Sequence, residues 1–294
     1  MKLRVLSRLM VVLCFSAISF AQVARTAPDL APNGKGWGVA VEKSSKPFAR
    51  PRRGNGITYH GGPLITAGPT VHYIWYGNWQ NGSINILDTL ATGLDGSSYF
   101  NINTTYSDGN NVHVVNHVAT SAPDAFDSYS RGTSLSDADI QAIVAAQTPT
   151  DTGGVYFVMT SKDVNETSGF CTQYCGWHTH ATINGRDIKY AFVGNPERCP
   201  VACTNGTPAP NSDVGADGAA SIVSHELEEA TTDPDLNAWY DSRGQENADK
   251  CAWTFGSTYT TSNGGVANMK LGGRDFLIQQ NWVNASGGYC AKSF

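Results

Sequence analysis

The residues best suited to chemistry lie together at His225-Glu-Leu-Glu-Glu229. Helical residues advance by about 100° each, so His225 and Glu229 stand one turn apart and point the same way. That spacing suits two ligands of one metal ion. Glu226 stands beside them, where the general base of a zinc hydrolase sits and takes a proton from the water that the ion activates. The pattern is H-E-x-x-H with a carboxylate in place of the second imidazole. Zinc is the expected ion. The carboxylate weakens that preference and leaves calcium, or another hard ion, as the alternative. The stretch Trp239 to Cys251 supplies candidates for a third ligand. Glu246 is the first choice. Asp249 and Asp241 are alternatives, or groups that orient the ligands. His178, in Trp177-His-Thr-His180, is a further candidate ligand or general acid, although a structural role is commoner for such a residue. In a strand it would share a side with His180. The plain alternative is an amphipathic helix with a solvated polar face. Its apolar stripe would be Ala220, Val223, Leu227 and Ala230. Ile222 falls within the polar arc and argues that this face is covered, and Glu228 is expected to be the exposed carboxylate.

Several elements must position these groups. The site helix is expected from Asp217, as its cap, to Thr232, where Asp233-Pro234 stops it. Other helices are expected from Ser83 to Leu90 and from Ser136, with Asp139 as a capping-box partner. Runs rich in β-branched and aromatic residues predict strands at 71–76, 112–118, 155–159, 190–193 and 276–282. The fold class expected is α+β: one domain over residues 57–294, a mixed β-sheet with packed helices, a zincin-like helix carrying H-E-x-x-E, and disulfide staples. No G-x-S-x-G elbow supports a serine nucleophile. Asp213 to Gly218 lacks the spacing of an EF-hand loop.

The ends and the cysteines speak to compartment. Lys2, Arg4 and Arg8 precede an apolar run from Leu9 to Phe20, and small residues at Ser19 and Ala21 mark a cleavage site. Residues 1–21 therefore read as a signal peptide. Residues 22–56 read as a flexible leader or propeptide-like linker, and Ala49-Arg-Pro-Arg-Arg53 is a candidate processing site. No later run is long enough to span a bilayer. Cys14 leaves with the signal, and Cys171, Cys175, Cys199, Cys203, Cys251 and Cys290 remain. Six cysteines allow 15 pairings. Cys171 and Cys175 are expected to pair with Cys199 and Cys203, and Cys251 with Cys290. A four-thiolate zinc site is the rival, disfavoured in an oxidising compartment. The net charge is −5, with no basic cluster in the folded region, which leaves nothing to hold nucleic acid.

With these residues in view, the chain resembles the Exordium family, also called phosphate-induced protein 1, best known as secreted plant proteins. The matching stretches are Ile57-Thr-Tyr-His-Gly-Gly-Pro-Leu64, Ile74-Trp-Tyr-Gly-Asn-Trp79, Gly154 to Ser161 and Phe170-Cys-Thr-Gln-Tyr-Cys-Gly-Trp-His178. They continue through Ala191 to Asn195, Cys199-Pro-Val-Ala-Cys203, Asp213 to Gly218, His225 to Glu229 and Asn237-Ala-Trp-Tyr240. The family pattern carries H-E-L-x-E, so His225, Glu226 and Glu229 match it residue by residue. The loop from Thr204 to Asn211 is shorter than the family's. The brief leader and scarce lysine fit a bacterial member as easily as a plant one. The resemblance implies an extracellular or cell-wall location and a link to growth control, without implying a catalytic mechanism. Two functions follow as expectations. One is a secreted, zinc-dependent hydrolase of zincin-like peptidase type, acting on an extracellular peptide. The other is a non-catalytic protein that binds a cell-wall polysaccharide or a receptor through Trp75, Tyr76, Trp79, Trp177 or Trp239. Trp75 and Tyr76 would point to opposite faces of a strand, so that one is core. A monomer is expected.

Overall fold

The computed structural model describes residues 32–35, 56–204, 206 and 208–294. The signal peptide and most of the leader lie outside the described residues. The candidate processing site at 49–53 does too.

A mixed sheet forms the centre. Its strands are β1 (Thr70–Tyr76), β2 (Ala119–Thr120), β3 (Ala125–Asp127), β4 (Gly154–Thr160), β5 (Gly176–Ile183) and β6 (Arg186–Gly194). They run in the order β2–β1–β4–β6–β5, with β3 pairing the same edge of β1 as β2 does. β1, β4 and β6 are mutually parallel, and β5 returns antiparallel to β6 as the edge strand. Every residue of β4 is buried, so its unbroken apolar run is that of a strand covered on both faces. The same double cover explains why Trp75 and Tyr76 are both fully buried, against the expectation that only one would be core.

Three helices pack on this sheet: α1 (Asn81–Leu94), α2 (Asp137–Ala146) and α3 (Val214–Thr232). Ser136 caps α2 through a reciprocal capping box with Asp139, as the sequence predicts. α3 lies against β4, β5, β6 and α1. On β5, Trp177 and His178 point to opposite faces. His178 meets Glu226 of α3, and Trp177 lies near Lys35, which pairs with Asp137 at the start of α2. α3 and α2 therefore cover opposite faces. Beyond α3 lies a C-terminal layer that includes the hairpin β7 (Asn281–Val283) and β8 (Tyr289–Ala291).

Two expected strands change. Residues 112–118 form a loop, held by Val114 N–H to Tyr106 O and Val115 N–H to Thr66 O, with Val112 and Val115 exposed. The run 276–282 breaks in two, the ends of strands at Arg274–Phe276 and at β7 flanking residues 277–280.

The cysteines pair as Cys171–Cys199, Cys175–Cys203 and Cys251–Cys290. This agrees with the expected partition and overturns a four-thiolate zinc site. Two bridges staple the segment entering β5 to the segment entering α3. The third ties the 246–251 segment to β8. It closes a span of 39 residues, for which chain entropy gives about 4 kcal/mol. Replacing Cys251 and Cys290 together by Ser should lower stability by about that much, read from the denaturant midpoint. A change under about 1 kcal/mol would show that the loop is held by packing alone. Among the described residues, no helix is long and apolar enough to cross a membrane.

Candidate metal centre

α3 begins one turn earlier than expected. Asp213 caps it by accepting from Ala216 N–H at 2.9 Å, and Asp217 sits inside the first turn, bonded to Asn211. The first half of α3 is Gly215-Ala-Asp-Gly-Ala-Ala-Ser221. These small residues let it sink against its neighbours. A Cβ on Gly218 would meet Pro196 at 2.9 Å, and one on Gly215 would meet the Asn195 side chain at 2.5 Å. From Gly215 onward the helix is buried on every side. Its polar residues are therefore inside the protein.

Six of the expected site residues fall into this interior together. His178 Nδ1 lies 3.3 Å from Glu226 Oε2 and 3.6 Å from Glu229 Oε2, and His178 Nε2 lies 3.5 Å from Glu246 Oε1. His225 Nε2 lies 3.0 Å from Glu229 Oε1 and 3.5 Å from Asp249 Oδ1. Two trios result, His178–Glu229–Glu246 and His225–Glu229–Asp249, and they share Glu229. Glu246, the first choice to join His225, lies instead with His178, and Asp249 takes the position beside His225. Asp241 stays apart: it accepts from Arg243 N–H and Gln245 N–H and lies 3.5 Å from Lys250 Nζ. His178 and His180 do share one side of β5. His180, however, joins a partly exposed group with Asp187 and Asp235, where Lys189 supplies a cation.

The charge balance of the central cluster differs. Glu226, Glu229 and Glu246 find no Lys or Arg within ion-pair distance among the described residues; their close partners are the two imidazoles and Asp249 N–H, which donates to Glu229 Oε1 at 2.9 Å. Several polar atoms are sealed from solvent without a well-directed hydrogen bond: both nitrogens of His225, Glu226 Oε1, Glu229 Oε2, Glu246 Oε1 and Asp233 Oδ2. Such atoms cost free energy unless something satisfies them. The separations of 3.0–3.6 Å match two atoms each about 2.1 Å from one tetrahedral ion, which lie about 3.4 Å apart.

The titrations carry the same message. Burial pushes Glu226 up to about 7, although His178 and His225 pull it back. Burial also works to raise Glu229, but the charge of His225 and the bond to His178 hold it at about 2. Burial lowers His178, yet Glu226 and Glu229 overrule it and lift it to about 10. Burial, reinforced by the charges of Glu229, Asp233 and Asp249, lifts Glu246 well above the carboxylate range.

The sequence reading missed five participants. Glu228, expected to be exposed, is buried; Asn281 donates to its carboxylate and Asn247 to its backbone carbonyl. Burial lifts the Glu228 carboxyl well above its usual range. Asn103 approaches Asn247, and Asp233 accepts from Asn237 N–H and Ala238 N–H beyond the end of α3. One signal was available. Gln279-Gln-Asn281 puts three amides inside an otherwise apolar run, and such a run needs polar partners in the core.

The aromatic candidates divide. Trp75 and Trp177 are core. Trp239 Nε1–H donates to Ser107 O. Trp79 is half-buried, donates to Met159 O at 2.9 Å and packs edge-on against Trp75. It lines a groove of about 650 Å³ with Asn78, Tyr129, Lys162, Asn195 and Glu197. That groove lies just past the C-terminal ends of β1, β4 and β6.

Comparison with known proteins adds a family. The profile of the phosphate-induced protein 1 conserved region matches residues 57–282. The chain is 31% identical to Protein EXORDIUM-like 3 of Arabidopsis thaliana, over 80% of this chain and 82% of that protein. It is 30% identical to Protein EXORDIUM-like 5 of the same plant, over 81% of this chain and 78% of that protein. Protein PHOSPHATE-INDUCED 1 of Nicotiana tabacum is 27% identical over 63% of this chain and 67% of its own length. No solved structure matches.

Proposed function

This chain belongs to the phosphate-induced protein 1 family, and from that premise we propose that it is an exported metalloprotein whose buried centre serves metal-dependent hydrolysis. One observation carries the reading: sealed imidazole and carboxylate atoms without well-directed hydrogen bonds converge where, among the described residues, no Lys or Arg balances Glu226, Glu229 and Glu246. Export is supported by the leader's basic and apolar pattern and by three disulfides.

His225, Glu229 and Asp249, or His178, Glu229 and Glu246, would hold the ion. Either trio puts one imidazole in the donor set, which favours zinc over calcium, an ion that prefers oxygen ligands throughout. When bound, such an ion acts as a Lewis acid and makes a nearby water acidic enough to react near neutral pH. Glu226 is the residue suited to take that proton. One of its oxygens is free of partners, and the other faces His178, which fixes its orientation. The substrate class proposed is an extracellular peptide.

Complete burial favours a second reading. His178, Glu226 and Glu229 are at most 1% exposed, and a site with no open face is characteristic of a structural ion. The ion would then tie β5, α3 and the 246–251 segment together. The chain would act as a binding protein, and the groove beside Trp79 would be the surface for a cell-wall polysaccharide. It has the aromatic and amide lining that sugars use, and its place beyond parallel strand ends is where open sheets bind ligands.

Elemental analysis tests the shared premise. The purified protein should carry about one zinc per chain, and His225→Ala with Glu229→Ala should lose it. A parent that takes up no zinc, even after refilling, sinks both forms of the proposal.

A further inference from the structure

Residues 32–35 of the leader do not hang free. His178 N–H donates to Gly34 O at 2.9 Å. β5 is an edge strand, and in an antiparallel ladder alternate residues turn both backbone groups to the same side. His178 thus offers its N–H and C=O to the open edge, and the alternation turns Gly176 and His180 the same way. Gly34 fits there for two reasons. Its φ is +71°, and a Cβ on it would stand 2.1 Å from His178 O and 3.2 Å from a Leu236 methyl. Only glycine suits that position.

The next side chain enters a built pocket. Lys35 Nζ donates to Asp137 Oδ2 at 2.7 Å and to Ser168 Oγ at 2.6 Å. It lies 5.4 Å from the Tyr174 ring centre and 5.8 Å from that of Trp177, close enough for cation–π attraction. Tyr174 in turn donates to Glu166, which is 1% exposed. A backbone hydrogen bond, a steric demand for glycine and an acidic, aromatic socket for a cation form a recognition site for a sequence. A backbone contact at a sheet edge beside a side-chain pocket is how such edges recognise peptides.

We propose that the open edge of β5 is a binding site for a peptide segment carrying Gly followed by Lys, and that Gly34-Lys35 occupies it in cis. The leader then acts as an internal competitor for a partner of the same local sequence. This inference does not depend on the metal reading, because its readout is peptide binding.

A fluorescein-labelled peptide with the sequence of residues 31–37 serves as the probe, together with its Lys→Glu counterpart. Three full-length proteins are compared: the parent, Gly34→Ala and Lys35→Glu. Both substitutions leave residues 57–294 unchanged, and thermal melts check that each chain is folded. The parent should bind the probe weakly, since its edge is filled. Both variants should bind it at least about tenfold more tightly (about 1.4 kcal/mol). The Lys→Glu peptide should lose at least that factor. Adding Asp137→Asn to Gly34→Ala should weaken the probe without unfolding the chain. Variants that bind no better than the parent, or that bind both peptides alike, would overturn the proposal.

Discussion

Replacing Glu226 with Gln should leave the zinc content of the protein unchanged and lower peptide turnover by about 10²–10⁴-fold. The substitution keeps the side chain's shape in a site where every neighbour is packed, so no cavity forms. It removes the capacity to accept a proton together with the carboxylate charge that faces His178. Glu226 belongs to neither of the two ligand trios, although it stands within 3.3 Å of His178. Metal content and activity therefore come apart if Glu226 is a base, and fall together if it is a ligand. Loss of zinc in Glu226→Gln would move this residue into the coordination sphere. Turnover that survives the change would end its assignment as base. A parent that turns over no peptide in a broad screen would leave the structural-ion reading standing alone.

Stripping the ion with a chelator should lower Tm by about 10 °C. An ion that binds only the folded chain, present at about a thousand times its dissociation constant, contributes about 4 kcal/mol. In a domain of this size each kcal/mol moves Tm by about 2–4 °C. The effect has a sign with pH. Imidazole and carboxylate must shed protons to bind an ion, so protons compete with it. The gap between loaded and stripped protein should shrink as the solution is acidified and widen toward alkaline pH. Scanning calorimetry of both forms from pH 5 to 8 reads it directly. Equal melting temperatures across that range, with zinc present in the loaded sample, would show that the ion contributes nothing to stability.

Much of this site was legible because its local signals are strong. His225, Glu226 and Glu229 share one arc of a helix whose stop is written as Asp233-Pro234, and Ser136 with Asp139 announces α2. The cysteine partition followed from two C-x-x-x-C units that cannot easily close on themselves. The failures are those of tertiary cover. A helical wheel separates polar from apolar faces but does not say whether water or other protein meets the polar face. Glu228 was read as solvated, and the C-terminal layer brings Asn281 to it instead. The run at 112–118 alternates like a strand, yet among the described residues only an isolated bridge between His113 and Ser107 pairs it, and Val112 and Val115 stay in water. The division of Glu246 and Asp249 between two histidines depends on where β5 passes over α3, which no local pattern encodes.

The burial of the His178–Glu229 cluster also fixes a matter of timing. An ion held there has no path to solvent while α3 and β5 stay packed, so it enters and leaves only when part of the structure opens. Its exchange is then governed by the opening rate, not by how much competing ligand surrounds the molecule. The staples at Cys171–Cys199 and Cys175–Cys203 hold the approaches to β5 and α3 together and make such opening rarer. If the cluster holds an ion, the metal would be set by what is available in the compartment where the chain folds, and would afterwards exchange slowly.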